Sequence, residues 1–468
     1  MVIRTDFDRP INVVGGGLAG ALLAVMLVRR GCGAIHVWDK RADPRRVRGE
    51  RGRSINLVLA ARGIRALERA GVMERVAPLM IPLRGRMIHD RSGGTSLQPY
   101  GQRDDEVIYS IGRADLNRVL IEEAARHQAV TIRFNQTCLG ADCGRNKLEF
   151  RNEVSGAQYS LDMAPTLATD GAGSAIRASL SKAQHLHSRE DWLDHDYKEL
   201  TIPSRGDRPS IDPNALHIWP RGGFMLIALP NTDHSFTATL FLPRTGPRSF
   251  ASLQAGESVL AFFREEFPDA LTLMPDLVTE FRANPTGQLA TVHADRWHAG
   301  GQVLLLGDAA HAIVPFHGQG MNAAFEDCRV LDSLLERHAD WESLFAEFER
   351  LRRPNAEAIA QMALENYTEM RDAVLDPGFV RRRKMSLELE RHFPDRFVPR
   401  YSMVMFRADI PYAEALNRGA AQEEILLELD RRKHSAHPVE DDDVRLSPAD
   451  LEVAAQLINA RLPPVAPA

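Results

Sequence analysis

The sequence is poor in cysteine, with only Cys32, Cys138, Cys143 and Cys328 among 468 residues. They form no Cys-x-x-Cys pair and have no histidine partner at the spacing of a zinc site. Free thiols of this kind are typical of a reducing compartment. We therefore expect no disulfide framework and no metal site.

Long apolar runs are also lacking. No stretch reaches the roughly 18 consecutive apolar residues of a membrane span, and no basic segment followed by an apolar one precedes the first predicted strand. These absences predict a soluble cytoplasmic protein without a secretory signal.

Charge of one sign is not in excess, because the formal net charge is −5 with both signs mixed along the chain. That balance argues against nucleic acid as a partner. With 44% hydrophobic residues, the chain can bury a large core. The basic run from Asp43 to Arg53 is read as a solvated loop.

A glycine motif, Gly15-x-Gly17-x-x-Gly20, follows a short apolar strand and opens an amphipathic helix. The first glycine permits a tight turn, the second lets the backbone approach a pyrophosphate, and the third allows close helix–strand packing. Asp39 ends the next strand, about 20 residues on, where a carboxylate that binds ribose is expected. The motif predicts a dinucleotide site, for NAD or FAD equally.

Two later strands end in similar turns, "TLATDGAGSAIR" with Asp170 and "LLLGDAAH" with Asp308. The loop Gln319–Asn322 leaves backbone N–H groups free near a helix start, which suits phosphate or an anionic flavin ring. His311 and His317 lie in the same stretch, but no third ligand stands at motif spacing, so a metal site is disfavoured.

The order of predicted elements indicates an α/β fold. A Rossmann-type domain is interleaved with an antiparallel β-sheet domain and is followed by a helical C-terminal region. We predict a first dinucleotide-binding part at 1–190, with substrate-site segments near 80–105, and a β-sheet substrate domain at 191–295. The second dinucleotide-binding part with a long helix is placed at 296–375, and the helical region at 376–468.

The three glycine and aspartate motifs together resemble the FAD-dependent aromatic hydroxylases, the single-component flavoprotein monooxygenases. Further segments resemble the kynurenine-hydroxylating branch of that family: "GRSINL", "RGRMIH", "LQPYG", "NALHIWP", "VPFHGQGMN", "MALENYTEM" and "PRYSMV". The resemblance covers most of the chain.

The resemblance implies bound FAD, with NADPH and O₂ as co-substrates. Asp39, Lys40 and Arg41 would hold the adenosine end, Asp308 the ribityl chain, and Cys138 would meet the adenine, although a small core thiol explains Cys138 as well. The full set of implied cofactor residues is Gly15, Gly17, Leu18, Ala19, Gly20, Asp39, Lys40, Arg41, Arg53, Arg113, Cys138, Asp170, Asp308, Gly320, Met321 and Asn322.

An amino-acid carboxylate needs a planar, permanently charged partner, and Arg86 on an apolar strand supplies one. A structural salt bridge is the alternative for Arg86. Tyr100, Asn366 and Tyr401 match the other carboxylate-binding positions of the family. For the aryl end we predict an apolar pocket, some of whose members could be ordinary core residues: Leu216, Met225, Ile227, Leu229, Phe241, Pro315, Phe316 and His317.

The resemblance implies hydroxylation of L-kynurenine beside its aryl amine through a flavin C4a-hydroperoxide, in tryptophan degradation or pyridine nucleotide biosynthesis. The cofactor performs the chemistry, so no acid–base catalyst is assigned and His317 is only a candidate. The alternatives are a hydroxylase of a modified kynurenine or another anthranilate-like acid, and a redox-inert FAD-binding module. The NADPH docking site and the choice between monomer and homodimer stay open.

Overall fold

The computed structural model describes residues 9–46, 56–372, 376–436 and 445–465. Its strands are β1 (Ile11–Val14), β2 (Ile35–Trp38), β3 (Asn56–Leu59), β4 (Ile81–Leu83), β5 (Gly85–His89), β6 (Thr95–Pro99), β7 (Ile108–Gly112), β8 (Val130–Arg133), β9 (Gln136–Asp142), β10 (Lys147–Asn152), β11 (Gln158–Asp162), β12 (Thr166–Ala168), β13 (Ser188–Ile202), β14 (Ala215–Pro220), β15 (Met225–Pro230), β16 (Phe236–Pro243), β17 (Thr286–Ala294), β18 (His298–Ala299) and β19 (Val303–Leu305).

The α-helices are α1 (Leu18–Arg29), α2 (Ala61–Arg69), α3 (Met73–Val76), α4 (Arg113–Ala125), α5 (Ala175–Lys182), α6 (Gly256–Glu266), α7 (Pro268–Leu271), α8 (Leu277–Ala283), α9 (Asp308–His311), α10 (Gly320–Leu334), α11 (Trp341–Arg371), α12 (Pro377–His392), α13 (Arg400–Met405), α14 (Tyr412–Ala436) and α15 (Pro448–Arg461). Short 3₁₀ turns cover Ala77–Leu79, Phe250–Ser252 and Pro315–His317.

The first layer is a six-stranded sheet in the order β18-β19-β12-β1-β2-β8, parallel except for β18. Its four central strands, β19, β12, β1 and β2, are short and almost fully buried, as sheets covered by helices require. The strand order reverses at β1, whose neighbours β2 and β12 are joined to it by different crossovers. Ligands of such sheets bind outside the carboxyl ends of the strands at this switch point.

The second layer is a seven-stranded sheet in the order β17-β13-β16-β15-β14-β5-β6. Its pairs are antiparallel except β14 with β5, which run parallel. The parallel pair joins the early segment Gly85–Pro99 to the sheet of the middle segment. Strands from the segment near 80–105 thus belong to the second sheet. The four domain boundaries given above stay a prediction.

Three helices, α6 to α8, lie between β16 and β17 and cover the back of the second sheet. From the sequence, this segment is predicted only as part of a β-sheet domain. A core of phenylalanines joins the helices to the sheet, among them Phe236, Phe263 and Phe267. These helices leave the opposite face of the sheet free to form the cavity described below.

The long helix α11 and the C-terminal helices α12 to α15 complete the molecule, and α11 packs against α14. The predicted α/β architecture with a C-terminal helical region is confirmed. Among the described residues, no helix combines the length and apolar character needed to cross a bilayer.

Candidate active site

Two glycines of the turn after β1, Gly15 and Gly20, have no room for a side chain. Gly15 has φ +104°, and a Cβ there would lie 2.3 Å from the carbonyl oxygen of Thr169. A Cβ on Gly20 would lie 1.9 Å from the carbonyl oxygen of Gly15. Thr169 Oγ1 donates to the Gly15 carbonyl at 2.7 Å and ties β12 to the turn. Gly17, by contrast, faces open space.

Helix α1 begins at Leu18, and its N-cap residue Gly17 makes no side-chain capping bond. No acidic residue lies in the first turn. The free N–H groups and the positive end of the helix dipole therefore suit a phosphate group. The open space at Gly17 and the crowded positions Gly15 and Gly20 fit a dinucleotide pyrophosphate.

Asp39, at the end of β2, is buried beside this turn. Its carboxylate accepts bonds from Arg41 Nη2 at 2.7 Å and from the Arg41 backbone N–H at 2.8 Å. Arg41 also donates to the Gly16 carbonyl at 3.2 Å. The structure thus places Asp39 and Arg41 together at the turn, while Lys40 is exposed.

The end of β19 and the start of α10 lie at the same edge of the parallel sheet. Gly307 has φ +55° and precedes Asp308, which begins α9 and is exposed. Gly318 has φ +65° and closes the turn that leads into α10. The first turn of α10 begins at Gly320 without a side-chain capping bond. A second free helix N-terminus therefore points toward the space above β1.

A single cavity of about 560 Å³ connects these features to the second sheet. Among the predicted cofactor residues it is lined by Gly17, Leu18, Ala19, Arg113, Asp308, Gly320 and Met321. Among the predicted substrate residues it is lined by Arg86, Tyr100, Leu216, Ile227, Leu229, Phe241, Pro315, Phe316, His317, Asn366 and Tyr401.

Some predicted residues do not line the cavity. Asn322 is fully buried, with its side chain bonded to the backbone of Val58, Ala60 and Gly318. Arg53 lies outside the described residues. The others off the cavity wall are Gly15, Gly20, Asp39, Lys40, Arg41, Cys138, Asp170 and Met225.

Cys138 and Asp170 lie close to each other behind the cavity wall. Burial, with a smaller contribution from Asp170, raises the pKa of Cys138 to about 12. Burial also raises the pKa of Asp170, whose Oδ1 has no hydrogen-bond partner among the described residues. A thiol that stays protonated fits an apolar contact and not a nucleophile.

Arg86 on β5 is 2% exposed and forms an ion pair with Glu369, Nη1 to Oε1, at 2.8 Å. Its Nη2 donates to Asn366 Oδ1 at 3.3 Å. Burial alone would raise the pKa of Glu369, but Arg86 lowers it below its ordinary value. The structural ion pair considered for Arg86 is therefore present, and it fixes the guanidinium at the end of the cavity.

A second cation, Arg383 on α12, stands near this pair. Its Nη2 donates to the carbonyl of Pro99 at 2.8 Å, and burial together with Arg86 lowers its pKa. Counting Arg86, Glu369 and Arg383, the formal charge at this end of the cavity is one positive. A buried excess charge is costly unless it is paired, so the site favours an anionic group.

Two tyrosines flank Arg86. Tyr100 and Tyr401 stack with ring centroids 5.2 Å apart, and the Arg86 guanidinium lies 5.0 Å above the Tyr401 ring. The buried Tyr100 Oη has no hydrogen-bond partner in the described part of the chain. A donor without a partner is expensive to bury, and here it stands beside the unbalanced positive charge.

The cavity wall formed by β15, Phe241 and Phe316 is apolar. Alternate residues of β15 face the cavity, and Phe241 on β16 contacts Phe316 with centroids 4.9 Å apart. Phe316 stacks on Tyr367 at 3.8 Å, and Asn366 Nδ2 donates to the Phe316 carbonyl at 2.7 Å. One helix, α11, thus positions both the ionic end and the aromatic wall.

His317 stacks on Tyr401 at 5.7 Å, and its Nδ1 has no partner among the described residues. Burial, assisted by Arg86, lowers the pKa of His317 to about 4. The ring is therefore neutral at physiological pH. His311 instead bonds Asp327 at 2.7 Å and lies outside the cavity wall.

This histidine makes stability depend on pH. Below the ordinary value of 6.5 the unfolded chain binds a proton at position 317, whereas the folded chain does not until about pH 4. Stability should therefore fall as the pH drops from 6.5 to 4 and level off below. We expect His317→Gln to remove about 1.4 kcal/mol per pH unit of that slope, measured by calorimetry of the FAD-free protein.

His185→Gln, at an exposed position, is the matched control. It should leave the pH dependence of unfolding as in the parent protein. Equal slopes for His317→Gln and the parent between pH 6.5 and 4 would contradict the neutral, buried state of His317.

Three residues of the site were not predicted from the sequence: Glu369, which pairs with Arg86, and Trp192 and Tyr197, which line the cavity. Glu369 lies three positions after Asn366 on α11, so the helical period places both on one face. This i, i+3 spacing was a usable signal. In the sequence, no such signal marks two residues of β13, Trp192 and Tyr197. Trp192 is 53% exposed at the cavity rim.

The geometry agrees with the comparisons to known proteins. The family described as "FAD binding domain" matches residues 8–363. A kynurenine 3-monooxygenase of Myxococcus xanthus (strain DK1622) is 46% identical over 455 residues, which cover 97% of this chain and 96% of that protein. Another from Stenotrophomonas maltophilia (strain K279a) is 47% identical over 421 residues, 90% and 92% of the two chains.

The chain belongs to the kynurenine 3-monooxygenase family. The expectation of an FAD-dependent monooxygenase is thereby confirmed, and so is the expectation of an enzyme.

Solved structures share the fold of this chain. 2-Methyl-3-hydroxypyridine-5-carboxylic acid oxygenase has a TM-score of 0.63 at 20% identity and covers 79% of this chain and 94% of its own. P. aeruginosa PqsL, in complex with 2-aminobenzoylacetate, has a TM-score of 0.62 at 20% identity, with 78% and 96% coverage. At this identity the likeness concerns the fold alone.

Proposed function

We propose that this chain hydroxylates L-kynurenine at the ring position beside the amine, with FAD as bound cofactor and NADPH and O₂ as co-substrates. The observation that carries the proposal is the continuous cavity that connects the glycine turn of the parallel sheet to Arg86 and has a mostly apolar lining. Cofactor and substrate would share this one space.

FAD would be held along the edge of the first sheet. The free N–H groups at the start of α1 take the pyrophosphate. Asp39 and Arg41 take the adenosine end, and Asp308 takes the ribityl chain. Gly320 and Met321 face the flavin ring, where the start of α10 supplies partial positive charge.

The ionic end of the cavity would bind the substrate carboxylate. Glu369 occupies one side of the Arg86 guanidinium, so the remaining N–H groups and the Tyr100 hydroxyl stay available for an anion. Glu369 neutralises the charge of Arg86, so the net positive charge that attracts the carboxylate comes from Arg383. Asn366 and Tyr401 keep the guanidinium in place.

The aryl ring of the substrate would lie between the apolar strand residues and the turn Pro315–His317. Leu216, Ile227 and Phe241 exclude water from this space, which protects reactive oxygen chemistry from side reactions. When bound, FAD would relay electrons from NADPH to O₂ and so activate it. His317, neutral at pH 7, is proposed only as a hydrogen-bonding neighbour of the ring.

Other assignments keep the status of predictions. Cys138 near the adenine, Asp170 at the second strand end and Arg53 in the FAD channel belong to this group. The cytoplasmic location and the division into four segments belong to it as well.

The test is NADPH oxidation by FAD-loaded protein with and without L-kynurenine, with the products identified by mass. Stimulated oxidation and a product heavier by one oxygen support the proposal. Stimulation without oxygen transfer, or transfer only to another anthranilate-like acid, would assign a different substrate. Absence of NADPH oxidation with every aryl amino acid would leave FAD binding without the proposed activity.

A further inference from the structure

Gln319 is the residue directly before the loop assigned to the flavin ring. It is fully buried and is the N-cap residue of α10, but its side chain does not cap the helix. Its Oε1 accepts a hydrogen bond from Tyr412 Oη at 2.7 Å, and its Nε2 lies 3.1 Å from Met405 Sδ. Both partners come from C-terminal helices, which lie outside the matched FAD-binding family region.

Tyr412 is fully buried at the start of α14. The guanidinium of Arg62 lies 3.9 Å above its ring. Arg62 is held by the carbonyl of Ile410 at 2.5 Å and by Glu326 at 3.2 Å. The Arg62 guanidinium therefore fixes the Tyr412 ring on one face, and the orientation of the ring directs its hydroxyl to Gln319.

The ionic network continues from Glu326 to the second cofactor loop. Arg352 pairs with Glu326 at 2.5 Å and with Asp327 at 2.6 Å. Asp327 in turn accepts from the Gly307 N–H at 2.9 Å, immediately before Asp308. A buried charge network thus joins Tyr412 to the loops on both sides of the cavity.

We propose that Tyr412 is a positioning residue for the flavin-ring loop: its hydroxyl fixes the Gln319 side chain and thereby the backbone at Gly320 and Met321. The C-terminal helix α14 would in this way set the conformation of a loop that belongs to the cofactor domain. The inference rests on the proposed placement of the flavin ring at Gly320 and Met321.

The test variant is Tyr412→Phe, which keeps the ring under Arg62 and removes only the hydroxyl. An acceptor on Gln319 is then left buried without a donor. We expect the dissociation constant for FAD, measured by flavin fluorescence titration, to rise roughly tenfold. The visible circular dichroism of the bound flavin should change, and more H₂O₂ should form per NADPH consumed.

Ser210→Ala is the control, since it removes a half-buried hydroxyl whose Oγ donates to the Pro203 carbonyl at 2.6 Å, between β13 and β14 and off the cavity wall. It should leave FAD affinity and the flavin spectrum unchanged. Gln319→Met and the double variant with Tyr412→Phe form a double-mutant cycle. If the hydroxyl acts through Gln319, the double variant should bind FAD no more weakly than Gln319→Met alone.

Additive losses of FAD affinity in that cycle would overturn the proposal. A lower thermal midpoint with unchanged FAD affinity and flavin spectrum would do so as well, because it would show a structural role only. The FAD titration and the flavin spectrum need no substrate. A failure of kynurenine hydroxylation is thereby distinguished from a failure of this inference.

Discussion

Gly20→Ala is expected to abolish tight FAD binding. The added methyl would lie 1.9 Å from the Gly15 carbonyl oxygen and 2.5 Å from Thr169 Oγ1, so α1 would have to move away from the turn. Overpacking of this kind costs ~3 kcal/mol or more. FAD affinity should therefore fall roughly 100-fold or more, as measured by fluorescence titration of the apoprotein.

Gly33→Ala is the control, because a Cβ at that position meets nothing within 4 Å. It should bind FAD as the parent protein does. If Gly20→Ala retained parental affinity, the assignment of the pyrophosphate to this turn would be wrong.

Arg86→Met is expected to raise the KM for L-kynurenine roughly 100-fold, because removing one member of a buried charged pair costs about 2–5 kcal/mol. The variant should keep its bound FAD, since Arg86 lies at the end of the cavity opposite the glycine turn. Unpaired Glu369 should also lower the thermal midpoint. Steady-state kinetics and the flavin absorbance of the purified variant report the two effects separately.

Arg75→Met serves as the matched control. Arg75 pairs with Glu122 at 2.5 Å and with Glu123 at 3.1 Å near the surface, so its removal should leave the KM unchanged. Loss of FAD from Arg86→Met, or an unchanged KM, would overturn the assignment of the carboxylate site.

Local signals predicted much of the fold, including the glycine turn after β1. In the motif Gly15-x-Gly17-x-x-Gly20, the need for two glycines is local: Gly15 has φ +104°, and a Cβ on Gly20 would meet the Gly15 carbonyl. Thr169 is instructive in this respect. In the sequence it is only the residue before Asp170, whereas the structure shows its hydroxyl bonded to the Gly15 carbonyl.

Contacts between residues that lie far apart along the chain could not be predicted from the sequence. Nothing in the local pattern of Arg62 or Tyr412 indicates that they meet across 350 positions of chain. Glu369 differs, since its helical spacing from Asn366 was visible, but its partner Arg86 lies 283 residues away. Long-range ion pairs of this kind depend on how the layers stack, which periodicity does not encode.

The parallel pairing of β14 with β5 has a consequence for redesign of the enzyme's substrate range. The apolar residues Leu216, Ile227, Leu229 and Phe241 all lie within Ser188–Ala294, whereas Arg86, Tyr100, Asn366 and Tyr401 lie on segments before and after it. Exchanging that one segment between relatives would replace the strand residues that we propose to surround the aryl group. The recipient would keep the residues that we propose to bind the carboxylate, so we expect ring preference and amino-acid selectivity to change independently.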